Sequence, residues 1–342
     1  MGKGIDGSKF RFAYYKTDYN ARCYYSNGKW GEIEISDSEF IPIHMAATCL
    51  QYGQEAFEGV KAYRGKDDSI RVFRLEKNAE RLQSSCRGLM MPEVPTELFC
   101  DVAHQVVKLN ERWIPAYGSG AALYLRPLVL GMSPQVGVHY AKEYLFVMFA
   151  TPVGPYFING FATNDMMIIR DYDRAAPLGT GQFKVGANYA GSLRANEVAR
   201  NMGYACEIYL DPKEKKYLDE CGGANVFGIK GDTYVTPLSD TILPSITNMS
   251  LQVIARDIGL KVECRPILVE ELADFDEFCA CGTGAIVSPV GKVFDPGTGV
   301  TYQFSKDGKP GKWSKALYDR LLAIQFGEIA DSYNWVKVYD DL

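Results

Sequence analysis

A lysine can attack a carbonyl or carry a proton only while its amine is neutral, so a lysine flanked by apolar residues invites a chemical reading. Lys184 lies in GQFKVGANYAG (181–191), between Phe183 and Val185, and small residues lead from it into a helical pattern. Gly186 and Ala187 would leave room for a flat ring against the backbone; the competing reading is a surface lysine at a turn. In YLDECGGANVFGI (217–229), Asp219 or Glu220 could hold a ring N–H at the tight turn made by Gly222 and Gly223, or could be a plain turn carboxylate. In ILPSITNMSLQVIARDIG (242–259), Ser245 is placed to cap a helix. The amides of Ile246 and Thr247, with the Thr247 hydroxyl, would then face an anion, unless the helix is simply capped. In RLEKNAERL (74–82), an Asn78 cap would set Arg81 in the first turn. A cation is unfavourable there unless an anion faces it; otherwise Arg81 is solvated and pairs with Glu76 or Glu80.

These segments need elements to hold them. Apolar residues at helical spacing predict helices over 78–91 (Ala79, Leu82, Cys86, Leu89, Met90) and 96–113 (Leu98, Val102, Val106, Val107, Leu109). Two β-like runs follow at 121–130 and 144–151. The stretch 151–165, rich in Pro, Gly and Asn, reads as a connection between domains. Beyond it come strands at 166–170, 207–210 and 226–229, and helices over 186–202, 245–258 and 313–329, the first two stopped by Gly203 and Gly259. A chain of 342 residues exceeds one ordinary core. The expectation is a domain over 1–153, an interdomain loop over 154–165 and a second domain over 166–342.

Composition narrows the chemistry. A net charge of -5 and pI near 5.4 offer no basic surface for nucleic acid or acidic membranes, so a small-molecule substrate is expected. Nine cysteines follow no framework spacing, Cys279 and Cys281 form only a C-x-C, and the three histidines (His44, His104, His139) lie far apart. No metal site is expected, and the thiols read as free in a reducing cytosol. The opening MGKGIDGSKFRFAYYK has no apolar leader stretch and no run approaches a membrane span, which points to a cytoplasmic protein.

The blocks QEAFEGVKAY, RVFRLEKNAERL, ALYLRPLVLG, FKVGANYAG, ECGGANVF and TILPSIT occur between about Tyr52 and Val290. Together the chain resembles the class IV (fold type IV) enzymes that use pyridoxal 5'-phosphate (PLP), and within them the branched-chain amino acid aminotransferases. The resemblance implies an α/β (α+β) fold with a small N-terminal α/β domain and a larger C-terminal pseudo-barrel domain. It implies cofactor sites at the domain seam and a homodimer or larger homo-oligomer. It implies Lys184 as the Schiff-base lysine and proton carrier, Tyr189 on the cofactor phenolic oxygen, and Glu220, rather than Asp219, on the pyridine nitrogen. Arg81, Ile246, Thr247 and Thr283 would form the phosphate cup. Tyr52, Tyr124, Arg126, Tyr156 and Gly284 would line the substrate pocket, with Tyr124 and Arg126 on one face of a strand. The implied reaction moves the amino group of Leu, Ile or Val to 2-oxoglutarate, and the FEG and LYLRP blocks set the chain apart from D-amino acid aminotransferases and aminodeoxychorismate lyases. The chain departs from the pattern at Ala285 and Ser288, where some members carry a redox-sensing C-x-x-C. Gly223 and Gly284 stand where relatives often have larger residues.

Overall fold

The computed structural model describes residues 4–154 and 161–339. They form two compact units: one built from the chain up to about residue 156 with 183–186 and 323–342, the other from 157–182 and 187–322. The seam is therefore not a single crossing near residue 155. The Lys184 segment and the last stretch of chain both fold with the first unit.

The first unit is an antiparallel sheet. From edge to edge its main path runs Val336–Tyr339, Ile70–Phe73, Val60–Arg64, Ala122–Gly131, Tyr144–Val153, Asn20–Ser26 and Lys29–Trp30. The short strand Glu55–Phe57 pairs with Ala122–Gly131. Helices Leu75–Gly88 and Thr96–Leu109 cover one face, burying Leu82, Cys86, Phe99, Val102 and Val106 against Leu123, Leu125, Phe146 and Met148. Strand alternation then sends Tyr124 and Arg126 to the opposite face from Leu123 and Leu125.

Asn78 does not cap its helix. The helix begins a turn earlier, at Leu75, because Arg74 takes a left-handed conformation (φ 50°), its amide donates to the Trp335 carbonyl at 2.6 Å, and its guanidinium lies 4.9 Å from the Trp335 ring. That long-range anchor has no local signature, and it moves Arg81 out of the first turn. The other helices sit close to expectation, at Gly186–Asn201, Ile246–Asp257 and Lys312–Gln325.

The second unit is a mixed sheet in the order Leu218–Cys221, Cys206–Leu210, Asn164–Ile169, Ile286–Asp295, Glu277–Gly282, Asn225–Lys230, Thr233–Thr236 and Lys261–Cys264. The sheet curls at the long strand Ile286–Asp295. Its first half pairs antiparallel with Glu277–Gly282, its second half pairs parallel with Asn164–Ile169, and the register shifts between Val290 and Val293. Apolar residues of these strands, among them Ile208, Val226, Phe278 and Val293, close on one another as the core.

Asn110 ties the first unit's entry strand to its second helix. Fully enclosed, its side chain accepts from the amides of Asp18 (2.9 Å) and Tyr19 (3.0 Å) and donates to the carbonyls of Tyr19 (2.9 Å) and Val106 (2.7 Å). Asn110→Ala would strand several buried backbone groups at once. We expect a loss of about 2–4 kcal/mol in urea unfolding. Asn110→Asp, which keeps the acceptors and loses the donors, should be no better tolerated.

Candidate active site

Lys184 is held by its backbone from both sides. Its amide donates to the Ser85 hydroxyl at 2.8 Å, its carbonyl accepts from the Phe57 amide at 3.0 Å, and Val185 bridges to Ala56. Phe183 packs where Gly88 has no side chain; a Cβ there would lie 2.4 Å from the ring. Gly186 is likewise required by packing. A Cβ on it would meet the Glu55 carboxylate at 1.8 Å, and that carboxylate accepts from the Gly186 amide. The space at the Cβ position of this glycine is taken by Glu55. The Lys184 amine lies 4.6 Å from the centre of the Phe57 ring. Burial pushes it down to about 8; the Arg81 and Arg126 guanidinium groups act in the same direction, while Glu58 and Tyr124 oppose them.

Arg81, on the helix Leu75–Gly88, is neither solvated nor paired with Glu76 or Glu80. It grips the enclosed Glu58 carboxylate through Nε (2.7 Å) and Nη2 (2.9 Å). Asn78 donates to the same carboxylate at 2.8 Å, which is what that residue does in place of capping. On the sheet face opposite the helices, Arg126 donates to the Tyr124 hydroxyl at 3.1 Å, and its guanidinium carbon lies 4.8 Å from the Phe57 ring centre. The lysine and this arginine thus share the Phe57 ring as a neighbour. Tyr52 is apart from this cluster among the described contacts: it ends the short helix Thr48–Tyr52, is exposed, and bonds the Val136 carbonyl. Tyr156 lies outside the described residues.

In the second unit the grouping centres on Glu220, at the end of strand Leu218–Cys221. Its enclosed carboxylate takes hydrogen bonds from the Leu243 amide (2.7 Å) and Asn225 (2.8 Å), and Arg174 pairs with it at 2.5 Å. Arg174 also donates to the Gly181 carbonyl at 2.8 Å. Asp219 points to the other face of the strand, where Thr241 donates to it at 2.5 Å. Leu243 leads through Pro244 to Ser245, whose hydroxyl accepts from the Asn248 amide at 3.2 Å and so caps the helix that starts at Ile246. The first-turn amides of Ile246 and Thr247 are donors of the kind that face anions. Thr283 and Gly284 lie in the turn between strands Glu277–Gly282 and Ile286–Asp295, and a Cβ added at the neighbouring Gly282 would lie 3.8 Å from the Gly223 carbonyl. Tyr189 sits on the first turn of helix Gly186–Asn201, its carbonyl accepting from Ser192 at 2.8 Å. The sequence motifs had passed over Glu55, Glu58, Arg174 and Asn225. Glu58 was visible only as a letter of the FEG block, and Arg174, in DYDRAAP, resembles any surface charge.

Comparison with known proteins places the chain in a family. The model of the amino-transferase class IV family matches residues 55–293. A branched-chain-amino-acid aminotransferase of Haemophilus influenzae is 44% identical over 341 residues, covering 98% of each chain. One from Helicobacter pylori is 43% identical, again over 98% of each. Among solved structures, a branched-chain amino acid aminotransferase of Escherichia coli superposes with a TM-score of 0.77 at 26% identity, covering 94% of this chain and 99% of that one. The fold is also shared with the PLP-form of a branched-chain amino acid aminotransferase from Thermobaculum terrenum, TM-score 0.78 at 23% identity, covering 94% and 98%.

Burial outweighs Arg174 and the two hydrogen bonds and lifts the Glu220 carboxyl to about 7. Between the ordinary glutamate value of about 4.3 and that point, the folded chain keeps a proton that the unfolded chain has released. This contribution to stability is present in acid and is lost as pH rises through about 7. Glu220→Gln removes the titration. In urea melts of cofactor-free protein, its stability relative to the parent should climb from about pH 4.5 to 7 and then level off. A flat difference across that interval would place the retained proton on another group.

Proposed function

The chain belongs to the amino-transferase class IV family, and on that premise we propose that it is a PLP-dependent branched-chain-amino-acid aminotransferase. It transfers the amino group of leucine, isoleucine or valine to 2-oxoglutarate, reversibly. The observation that carries the reading is Lys184, a lysine with both backbone polar groups clamped and its amine lowered to about 8. Such an amine is poised to give up and regain a proton near neutral pH, which a lysine at its ordinary value of about 10.4 is not.

The residues present suit the cofactor. An enclosed carboxylate with fixed donors at Glu220 fits a ring nitrogen that must stay protonated, and the amides of Ile246 and Thr247 fit a phosphate. We assign Lys184 to the covalent link, Tyr189 to the phenolic oxygen, Glu220 to the pyridine nitrogen, and Arg81, Ile246, Thr247 and Thr283 to the phosphate. When bound, PLP supplies an electron sink for the bonds at the substrate α-carbon. The chain supplies the rest. Lys184 takes the α-proton on Nζ and returns it on the other side of the exchange. Glu220 would hold the proton on the ring nitrogen. Phe57 and Tyr124 exclude water from the side-chain pocket. Tyr52, Tyr156 and Gly284 complete our assignment of the substrate pocket.

Supports for the remaining assignments are independent of the chemistry. Met45, Leu50, Val136 and Val138 are 86%, 60%, 84% and 86% exposed. The segments bearing them are tied together by the Ala47–Pro134 bridge and the Gln51 bond to the Gln135 carbonyl. This apolar surface supports a homodimer or larger assembly. All nine cysteines are free, which supports a reducing, cytoplasmic setting.

Lys184→Ala should abolish turnover, and borohydride should then trap no cofactor on the chain; a trapped adduct at another lysine would reassign the role. Arg126→Met tests how one pocket takes both substrates. The substitution keeps an unbranched stem beside Phe57 while deleting the charge that a second carboxylate needs. The leucine half-reaction should fall modestly and the 2-oxoglutarate half-reaction by about 10–100-fold in single-turnover kinetics. An equal fall in both would make Arg126 a structural support only.

A further inference from the structure

Glu58 is a buried charge that stability alone does not explain. It is 0% exposed, and its carboxylate is engaged by Arg81 twice, by Asn78, and by the Gly59 amide at 3.2 Å. Taking two such ions out of water costs several kcal/mol per ion, and a well-packed apolar pair in their place is often no less stable. The pair has a particular neighbour, however. Ser85, one turn beyond Arg81, donates to the Arg81 carbonyl at 3.1 Å and accepts from the Lys184 amide at 2.8 Å, so the arginine's helix and the lysine share one hydroxyl. Phe57, adjacent to Glu58 in the chain, both bonds the Lys184 carbonyl and presents its ring to the amine.

We propose that Glu58 is a positioning residue for the transfer reaction: it aims the Arg81 guanidinium and offsets its charge at Lys184, so that the amine can both hold and release a proton near neutral pH.

The charged groups acting on the Lys184 amine are Arg81 from the helix, Glu58 from the segment between strands Glu55–Phe57 and Val60–Arg64, and Tyr124 and Arg126 from strand Ala122–Gly131. Arg81 drives the proton off, and Glu58 draws it back. Without Glu58, the two cations and the aromatic ring at the amine would be opposed less strongly, and it would surrender its proton too readily to return it. Without Arg81, the buried carboxylate would stand beside the lysine unneutralised and hold it as ammonium. A proton carrier that works in both directions needs neither extreme. The inference rests on Lys184 being the reactive lysine, as proposed above.

The test reads the Lys184 amine in cofactor-free protein. Formaldehyde with cyanoborohydride methylates neutral amines, and the initial rate at the Lys184 peptide, followed by mass spectrometry against pH, gives a midpoint; surface lysines serve as internal controls. Glu58→Gln should move the midpoint down by about one pH unit, a tenfold change in neutral fraction at a given pH, and Arg81→Gln should move it up by a similar amount. The double variant should return near the parent, and Glu58→Asp, which keeps the charge, should largely restore it. Shifts in the same direction from both single variants, or no shift in Glu58→Gln, would overturn the proposal and leave Glu58 a support for the helix. Should Glu58→Gln fail to fold, Arg81→Gln alone decides: an unmoved or lowered midpoint refutes the opposing-charge arrangement. Because no cofactor or substrate is present, these shifts can be found in a chain that proves not to transaminate, so the two readings fail separately.

Discussion

Four residues, 183–186, fold with a unit other than the one that takes up the chain on either side of them. What holds them there is a small set of main-chain bonds, from Lys184 to the Ser85 hydroxyl and from Phe57 to the Lys184 carbonyl, reinforced by the Ala56–Val185 bridge. Each bond is worth only about 1 kcal/mol net, yet breaking one strands a buried polar group, so the segment is fixed by the cost of its alternatives. The environment of the lysine follows from that stitch. Phe57 can face the amine because it is hydrogen-bonded to the same residue, and Gly88 and Gly186 are bare because Phe183 and Glu55 occupy their space. The Phe57 ring reaches Arg126 only because that residue has been placed first.

Charge in both units is controlled by the same means. In each, a carboxylate removed from water is gripped by an arginine and steadied by an asparagine: Glu58 with Arg81 and Asn78, Glu220 with Arg174 and Asn225. The outcomes differ in sign. Two well-formed bonds from Arg81 keep Glu58 below the ordinary carboxylate range despite its burial, whereas at Glu220 burial prevails and the carboxyl stands near 7. One carboxylate is thus a fixed anion, the other a group that can take a proton under ordinary conditions. Asn248 extends the second arrangement inward, donating to Asn225 at 3.1 Å and accepting from Tyr234 at 2.9 Å, so the position of Glu220 depends on a buried polar chain reaching into the core.

What could be read in the sequence was whatever is local. The Ser245 cap, the stop at Gly259 and the shared strand face of Tyr124 and Arg126 depend on neighbours a few residues away, and the structure contains all of them. The start of the helix at Leu75 was misplaced because its anchor, Trp335, lies far along the chain. The pairing of Arg81 with Glu58 was not legible, because Glu58 sits on a turn whose proximity only the sheet creates. Glu55 and Gly186 show the same limit: a bare glycine announces that something approaches closely, while the identity of the visitor belongs to the fold. The apolar flanks of Lys184 were legible as a desolvating environment, but the opposition of Arg81 and Glu58 that tunes it was not.

The edge strand Val336–Tyr339 pairs with Ile70–Phe73, and Trp335 beside it sets the start of the helix that bears Arg81. Both arrive long after their partners have left the ribosome. Until then the nascent first unit carries an open sheet edge, with Ile70 and Val72 lacking their neighbour, and an untethered Arg74. Its lysine segment is also synthesised later than the strands that receive it. The unit can therefore close this edge only after nearly the whole chain has been made.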